Sequence, residues 1–298
     1  MEKINRNQFI KESFLGFALL SSTNLGNVKG KGEPKGKSFT VQEVMDKILK
    51  EGKLNPIPNT VDTLKSGTSD QVVTGIMTTM FTTLPTIEEA IRIGANFIIT
   101  HEPSFYNHPD DPNFVENNQV LKQKMDMLHR NKIAVWRFHD YIHSIKPDLI
   151  SYGVCKKLGW EPYYQTNNRI MAIPPIRMKD LISLVKNRLS IEHFRFIGDM
   201  ETTCSKIGLM PGAVGGQSHI RLLEREKPDV LLVGECPEWE TVEYMRDSLF
   251  FGNKSSLIIL GHGKSETPGV EYLADWLGPI FPEIKITYMP FQDPFTWI

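Results

Sequence analysis

Imidazole and carboxylate groups recur at one kind of place in this chain. The apolar run "FIIT" stops at His101 and Glu102. "AVWRF" stops at His139 and Asp140, and His143 follows four positions after His139. "LLVG" stops at Glu235. "LIILG" stops at His262, and Glu266 follows four positions later. A lone histidine at a strand end is ordinarily a hydrogen-bonded loop residue, so the signal is the recurrence and not any single position. Imidazole suits Zn, Fe, Ni or Cu, and carboxylate adds Mn and Mg. Histidines with carboxylates, and water completing the coordination, form a hydrolytic pattern. A divalent ion lowers the pKa of water from about 15.7 toward about 7, and a carboxylate can bridge two ions roughly 3.5–4 Å apart. His101 with Glu102 and His262 with Glu266 lead this reading. His139, Asp140 and His143 crowd one turn, too close for all three to be ligands. Glu266, Glu102 and Glu235 are the carboxylates placed to move a proton.

Other polar groups carry less. His108, Asp110 and Asp111 read as a solvated loop near the entrance to such a site, and His129, His193 and His219 as structural residues within regular elements. The turn "GAVGG" (212–216) has the glycines of a phosphate-cradling loop but lacks the Lys-Ser/Thr of a P-loop. Cys155, Cys204 and Cys236 show no C-x-x-C spacing, which argues against a thiolate zinc site and a disulfide framework and for small buried apolar residues. Methionines and aromatics, Trp239 among them, follow element periodicity and read as core.

The elements that must position these groups alternate. "TVQEVMDKILKEG" opens a helix with a Thr40–Glu43 capping box. "QVVTGIMTTMF" is β-rich. "TIEEAIRIGA" is a helix with a second box, Thr86–Glu89, and Gly94 as its stop. "NFIIT" and "KIAVWRF" are strands around a long helical period in "NFVENNQVLKQKMDMLHRN", and "KPDLISYGVCKKLG" is a helix. The second half repeats the rhythm: helix "RMKDLISLVKNRLS", strand "SKIGLMPG", helix "QSHIRLLEREK", strand "DVLLVG", helix "WETVEYMRDSLFF", strand "SSLIILG", helix "GVEYLADWLG" with Pro268 near its first turn, and strand "EIKITYM". Strands alternating with helices predict an α/β fold with mixed, largely parallel sheets. Ligands bind beyond the carboxyl ends of such strands. Two lobes are expected, roughly 38–160 and 205–298, joined by 161–204, with the metal site between them.

The chain has 298 residues and a formal net charge of -1, so no basic field advertises nucleic acid. Residues 1–37 hold seven Lys/Arg against three Glu, leaving 27 Lys/Arg against 32 Asp/Glu in the body. The start, "MEKINRNQFIKESFLGFALLSS", has a basic n-region and an apolar run too short to span a bilayer, which reads as a secretory leader. "NRNQFIK" resembles the twin-arginine export motif with Asn7 in place of the second Arg. Export to the periplasm is the first expectation and a cytoplasmic protein the alternative. "NLGNVKGKGEPKGK" (24–37) reads as a Gly/Lys linker. No stable membrane association and no nucleic-acid partner are expected.

Taken in order, "THEP", "HDYIH" (139–143) and "GHGKSE" (261–266), with "GAVGG" and "GE" (234–235), are similar to the NGG-interacting-factor-three family, often catalogued as GTP cyclohydrolase I type 2-like. The resemblance covers roughly residues 40–290. That family typically has "THHP", "HxxxD", "GHxxxE" and "GD" at these places. The resemblance implies two related α/β lobes, a dinuclear metal centre and homo-oligomers, commonly a ring-shaped hexamer. It carries ligand roles onto His101, Glu102, His143, His262 and Glu266. Two positions depart from the pattern: Glu102 replaces a histidine and His143 an aspartate, with His139 and Asp140 as outer or substitute ligands. The expected function is a metal-dependent hydrolase with two divalent ions per chain (Zn, Fe, Mn or Ni). Its substrate is a small molecule, nucleotide-like or heterocyclic. The alternative is a non-catalytic metal-binding or delivery protein, or an oligomeric scaffold.

Overall fold

The computed structural model describes residues 38–298, so the leader and linker read in 1–37 lie outside the described residues. Two five-stranded sheets organise the chain. In the first, β2 (Ile76–Thr79), β3 (Phe97–Thr100), β4 (Ala134–Arg137) and β10 (Ile286–Met289) run parallel. β1 (Leu64–Ser66) lies antiparallel on the outer side of β4. In the second, β7 (Thr203–Met210), β8 (Val230–Val233) and β9 (Ser256–Ile259) run parallel. Two antiparallel edges flank them, β5 (Ile170–Arg177) on β7 and β6 (Arg195–Ile197) on β9. The fold is thus α/β with two mixed sheets.

Strands β3, β4, β8 and β9 are buried at every residue. Continuous apolar runs such as "VLLV" suit parallel strands covered on both faces. Each fully buried Val, Leu, Ile or Phe side chain contributes about 1.5–3 kcal/mol. Helices α1 (Val41–Glu51), α2 (Leu84–Ile93), α3 (Gln119–Arg130), α5 (Leu149–Leu158), α6 (Met178–Leu189), α7 (Gly216–Glu226) and α8 (Glu243–Phe250) supply most of the cover. α4 (Asp140–Ser144) is a short helix directly after β4. α9 (His262–Leu277) follows β9 of the second sheet, yet its Val270, Leu273 and Leu277 pack in the core of the first.

Several elements differ from the sequence expectation. The segment 161–204 is no mere joint, because it contains β5 and β6, the two edge strands of the second sheet, with α6 between them. β5 breaks register between Ala172 and Ile176, at Pro174–Pro175. Two prolines fit only an edge strand, and they hid it from periodicity. The last strand, β10, returns to the first sheet beside β2. α2 is capped by Thr83 and not Thr86, whose hydroxyl turns back to the Phe81 carbonyl. α3 starts at Gln119 under an Asn118 cap, after a separate 3-10 turn at Pro112–Val115. α9 begins at His262, seven residues earlier than the expected start, so Pro268 lies inside it. Trp239 is 80% exposed, on a π-helical turn (Glu238–Val242), and Phe250 and Phe251 are exposed as well. These aromatics are not core. The three cysteines are buried and free.

α9 reaches the first core through a close crossing with α5. A Cβ on Gly153 would lie 2.6 Å from Gly269 Cα, and one on Gly269 would lie 2.4 Å from Ile150 Cα. Both neighbouring atoms are backbone, so neither can swing aside. Gly153→Ala is therefore expected to destabilise the fold by about 1–3 kcal/mol through overpacking, despite alanine's better helix propensity. Urea unfolding checks this, and a midpoint unchanged from the parent chain would refute the close crossing.

Candidate metal centre

The carboxyl ends of β3, β4, β8 and β9 converge. β3 delivers His101 and Glu102, both buried. β4 turns into α4 and delivers His139 and His143. That corner is held by Asp62, whose carboxylate accepts the backbone N–H groups of His139, Asp140 and Tyr141 at 2.8, 3.0 and 2.8 Å. From the second sheet, β8 leads to Glu235 and β9 to His262. His262 and Glu266 sit one turn apart on α9 and so share a face.

The contacts join the two sheets. His262 Nε2 lies 3.1 Å from Glu102 Oε1 and 3.2 Å from Glu266 Oε2. His101 Nε2 lies 3.4 Å from Glu266 Oε2 and 4.0 Å from Glu102 Oε1. His139 Nε2 is 3.6 Å from Glu102 Oε1. The rings of His101 and His139 stack at 4.9 Å, and His143 stands edge-on to both at 5.2 and 5.3 Å. Two donor groups have atoms within 4.8 Å of one another: His101, His139 and His143, and His101, Glu102 and Glu266.

Whether these residues fit a metal can be judged from the atoms left over. Among the described residues, His101 Nε2 and Glu266 Oε2 are buried with no hydrogen-bond partner, though they lie 3.4 Å apart. Buried polar atoms are nearly always paired, so two orphans facing each other point to a missing shared partner. The opposite ring edges agree. Each Nδ1 of the four imidazoles has an oxygen neighbour: the Phe138 carbonyl for His101 (3.3 Å), Asp140 for His139 (3.0 Å), Asp148 for His143 (3.2 Å) and Glu235 for His262 (3.1 Å). An acceptor at Nδ1 fixes the tautomer and leaves the Nε2 lone pair for an ion, the usual arrangement around ligating histidines. The buried His/Glu groups could thus hold a metal.

The charges are strongly coupled. Burial would raise the Glu266 carboxyl, but the imidazoles of His101 and His262 hold it well below the usual carboxylate range. Burial would lower His262, yet the nearby carboxylates of Glu102 and Glu266 raise it to about 10. Burial likewise opposes protonation of His101, and Glu266 and Glu102 outweigh it. His139 goes the other way, to about 4, driven by burial and by the neighbouring His101.

Of the residues singled out by sequence, His101, Glu102, His139, His143, His262 and Glu266 come together around this centre. Asp140 stands behind it: its carboxylate takes bonds from the Thr60 hydroxyl, the Val61 N–H and the His139 ring. Glu235 is at the rim with its side chain 62% exposed. Asp110 is not solvated as its loop suggested; it is buried and accepts the Phe105 N–H at 2.7 Å. His108 lies against His139, and its carbonyl is bound by Arg137. His219 is buried and bonded to Thr241, a structural position. "GAVGG" serves the centre sterically: a Cβ on Gly212 would come within 2.2 Å of Glu266 Oε1. Three participants escaped the sequence reading. Arg137 is fully buried, 3.5 Å from Glu102 Oε2, and a charged residue inside "AVWRF" was its only signal. Asp148 showed itself only as a helix cap for α5. Asp62 has no local signal.

Fold and site together define a two-sheet α/β protein with a buried His/carboxylate cluster where strand ends from both sheets meet. The model of the Duf34/NIF3 (NGG1p interacting factor 3) family matches residues 60–294, and the chain belongs to that family. It is 25% identical over 219 residues to a GTP cyclohydrolase 1 type 2 homolog of Clostridium acetobutylicum, covering 70% of this chain and 77% of that one. A second such homolog, from Buchnera aphidicola, is 23% identical over 265 residues, covering 86% and 99%. Among solved structures, a hypothetical protein of Staphylococcus aureus superposes with a TM-score of 0.71 at 18% identity, covering 87% of this chain and 99% of that one. These structural likenesses establish the fold.

Asp148→Asn is expected to lower divalent-metal affinity about 10- to 100-fold by loosening His143. Competition against a chromophoric chelator measures it, with circular dichroism verifying the fold. Parent-like affinity would separate His143 from the centre.

Proposed function

We propose that the protein is a metal-dependent hydrolase with a dinuclear His/carboxylate centre acting on a small nucleotide-like or heterocyclic substrate. The observation that carries this reading is the facing pair of orphaned buried atoms, His101 Nε2 and Glu266 Oε2, ringed by three further imidazoles. The names of its relatives, GTP cyclohydrolase 1 type 2 homologs, support a hydrolytic assignment. Divalent ions held by His101, His143, His262, Glu102 and Glu266, with His139 alongside, supply Lewis-acid polarisation and acidification of water. His101 belongs to both groups of close donor atoms. Glu102 Oε1 lies within 4.0 Å of the Nε2 atoms of His101, His139 and His262 and would help to hold an ion among them.

The residues then divide the remaining work. Glu102 and Glu266 are buried against the imidazoles of His101 and His262 and balance their charge. Glu235 is exposed and holds His262 Nδ1 through Oε2. It is the carboxylate placed to accept a proton from the reaction and pass it to solvent.

Elemental analysis of protein purified without chelator is expected to show about two equivalents of divalent transition metal per chain. Turnover is expected on a panel of hydrolysable heterocycles that includes GTP. Chelation should abolish that turnover and metal should restore it. Glu235→Gln, assayed at saturating metal, is expected to lose about 10²- to 10⁴-fold in kcat. A full metal complement with no turnover anywhere on the panel would sink the hydrolase reading.

A further inference from the structure

The metal centre forms one end of a cavity of about 520 Å³, a volume in the range of small-molecule sites. Lys146, from the turn after α4, and Arg169, just before β5, line it together with Asn167. Pro211, Ala213 and Val214, at the start of the "GAVGG" turn, and Tyr164 line it as well.

The charges facing this cavity are committed to partners at the metal end. Asp148 serves His143, two α5 backbone N–H groups and the Ser151 hydroxyl. Glu102 and Glu266 serve the imidazoles, and Glu102 also faces Arg137. The two cations that line the cavity have no ion-pair partner among the described residues. Lys146 Nζ has only the neutral amide oxygen of Asn167, at 3.1 Å. Arg169 makes no ion pair among the described residues. The two cations line a single cavity on a body that carries more acidic than basic residues, which favours an anion there. A guanidinium fork matches the paired oxygens of a phosphate or carboxylate, and a lysine adds a point charge.

We infer that Lys146 and Arg169 form an oxyanion-binding subsite, so that the cavity takes a small molecule with an anionic group at one end, a flat or apolar body along the Tyr164–Val214 wall, and its reacting end at the metal centre. The binding half of this inference stands without the metal; only the placement of the reacting end rests on the hydrolase reading.

Calorimetry with phenyl phosphate, benzoate and phenol tests it, using the full chain in both chelator-treated and metal-loaded form. Phenyl phosphate or benzoate is expected to bind in both forms, and phenol at least about tenfold more weakly. The two anions tell a phosphoryl preference from a carboxylate preference. Lys146→Gln and Arg169→Gln, both at exposed positions, are each expected to weaken anion binding about tenfold with metal content unchanged. Parent-like anion affinity in both variants, or phenol binding as well as the anions, would overturn the subsite. Anion binding that persists in a chain unable to hold metal would remove the hydrolase reading and leave the subsite standing. Full metal loading without anion binding would do the reverse.

Discussion

The structure turns on one contact: the buried carboxylate of Glu266, wedged between His101 of the first sheet and His262 at the head of α9. An isolated carboxylate in so dry a place would be expensive to bury. It is tolerable only because imidazoles from two separate strand ends surround it. A cluster of this kind is weak evidence for stability, since breaking a buried pair costs more than the pair contributes. The fold therefore reads as an investment in a site. Orphaned atoms at its middle are the same statement in hydrogen-bond terms.

Holding that contact explains features remote from it. α9 must carry His262 and Glu266 from the second sheet while anchoring in the first core, and the Gly153–Gly269 crossing lets it come close enough. Gly212 has no side chain because Glu266 fills the space one would need. Asp62, distant in sequence, fixes the β4–α4 corner through three backbone N–H groups. The centre is assembled from strand ends and a helix start, and not from mobile loops, which is how donor atoms are kept in place.

The two departures from the family's usual motifs are matched by local chemistry. Glu102, where the family usually has histidine, brings an extra negative charge, and buried Arg137 stands beside it. His143, where aspartate is usual, has Asp148 against its Nδ1. Each substitution thus comes with a partner of opposite character nearby. The total of imidazoles and carboxylates stays suited to a divalent ion.

Much of this was legible in the chain. Apolar runs ending in His or carboxylate announced both the parallel strands and the groups at their ends, because side-chain burial and strand termination are local properties. The sequence by itself determined the α/β class, the family and the donor types. It could not reveal β5, whose prolines break periodicity, or β1 and β6, which are three residues long. It could not separate Asp140, turned outward, from His139 and His143 beside it. Nor could it supply Arg137, Asp148 and Asp62 as partners, or show that "GAVGG" makes room for a carboxylate. Those facts depend on which segments meet across the two sheets, and contact between residues 101 and 266 is decided only when the whole chain packs.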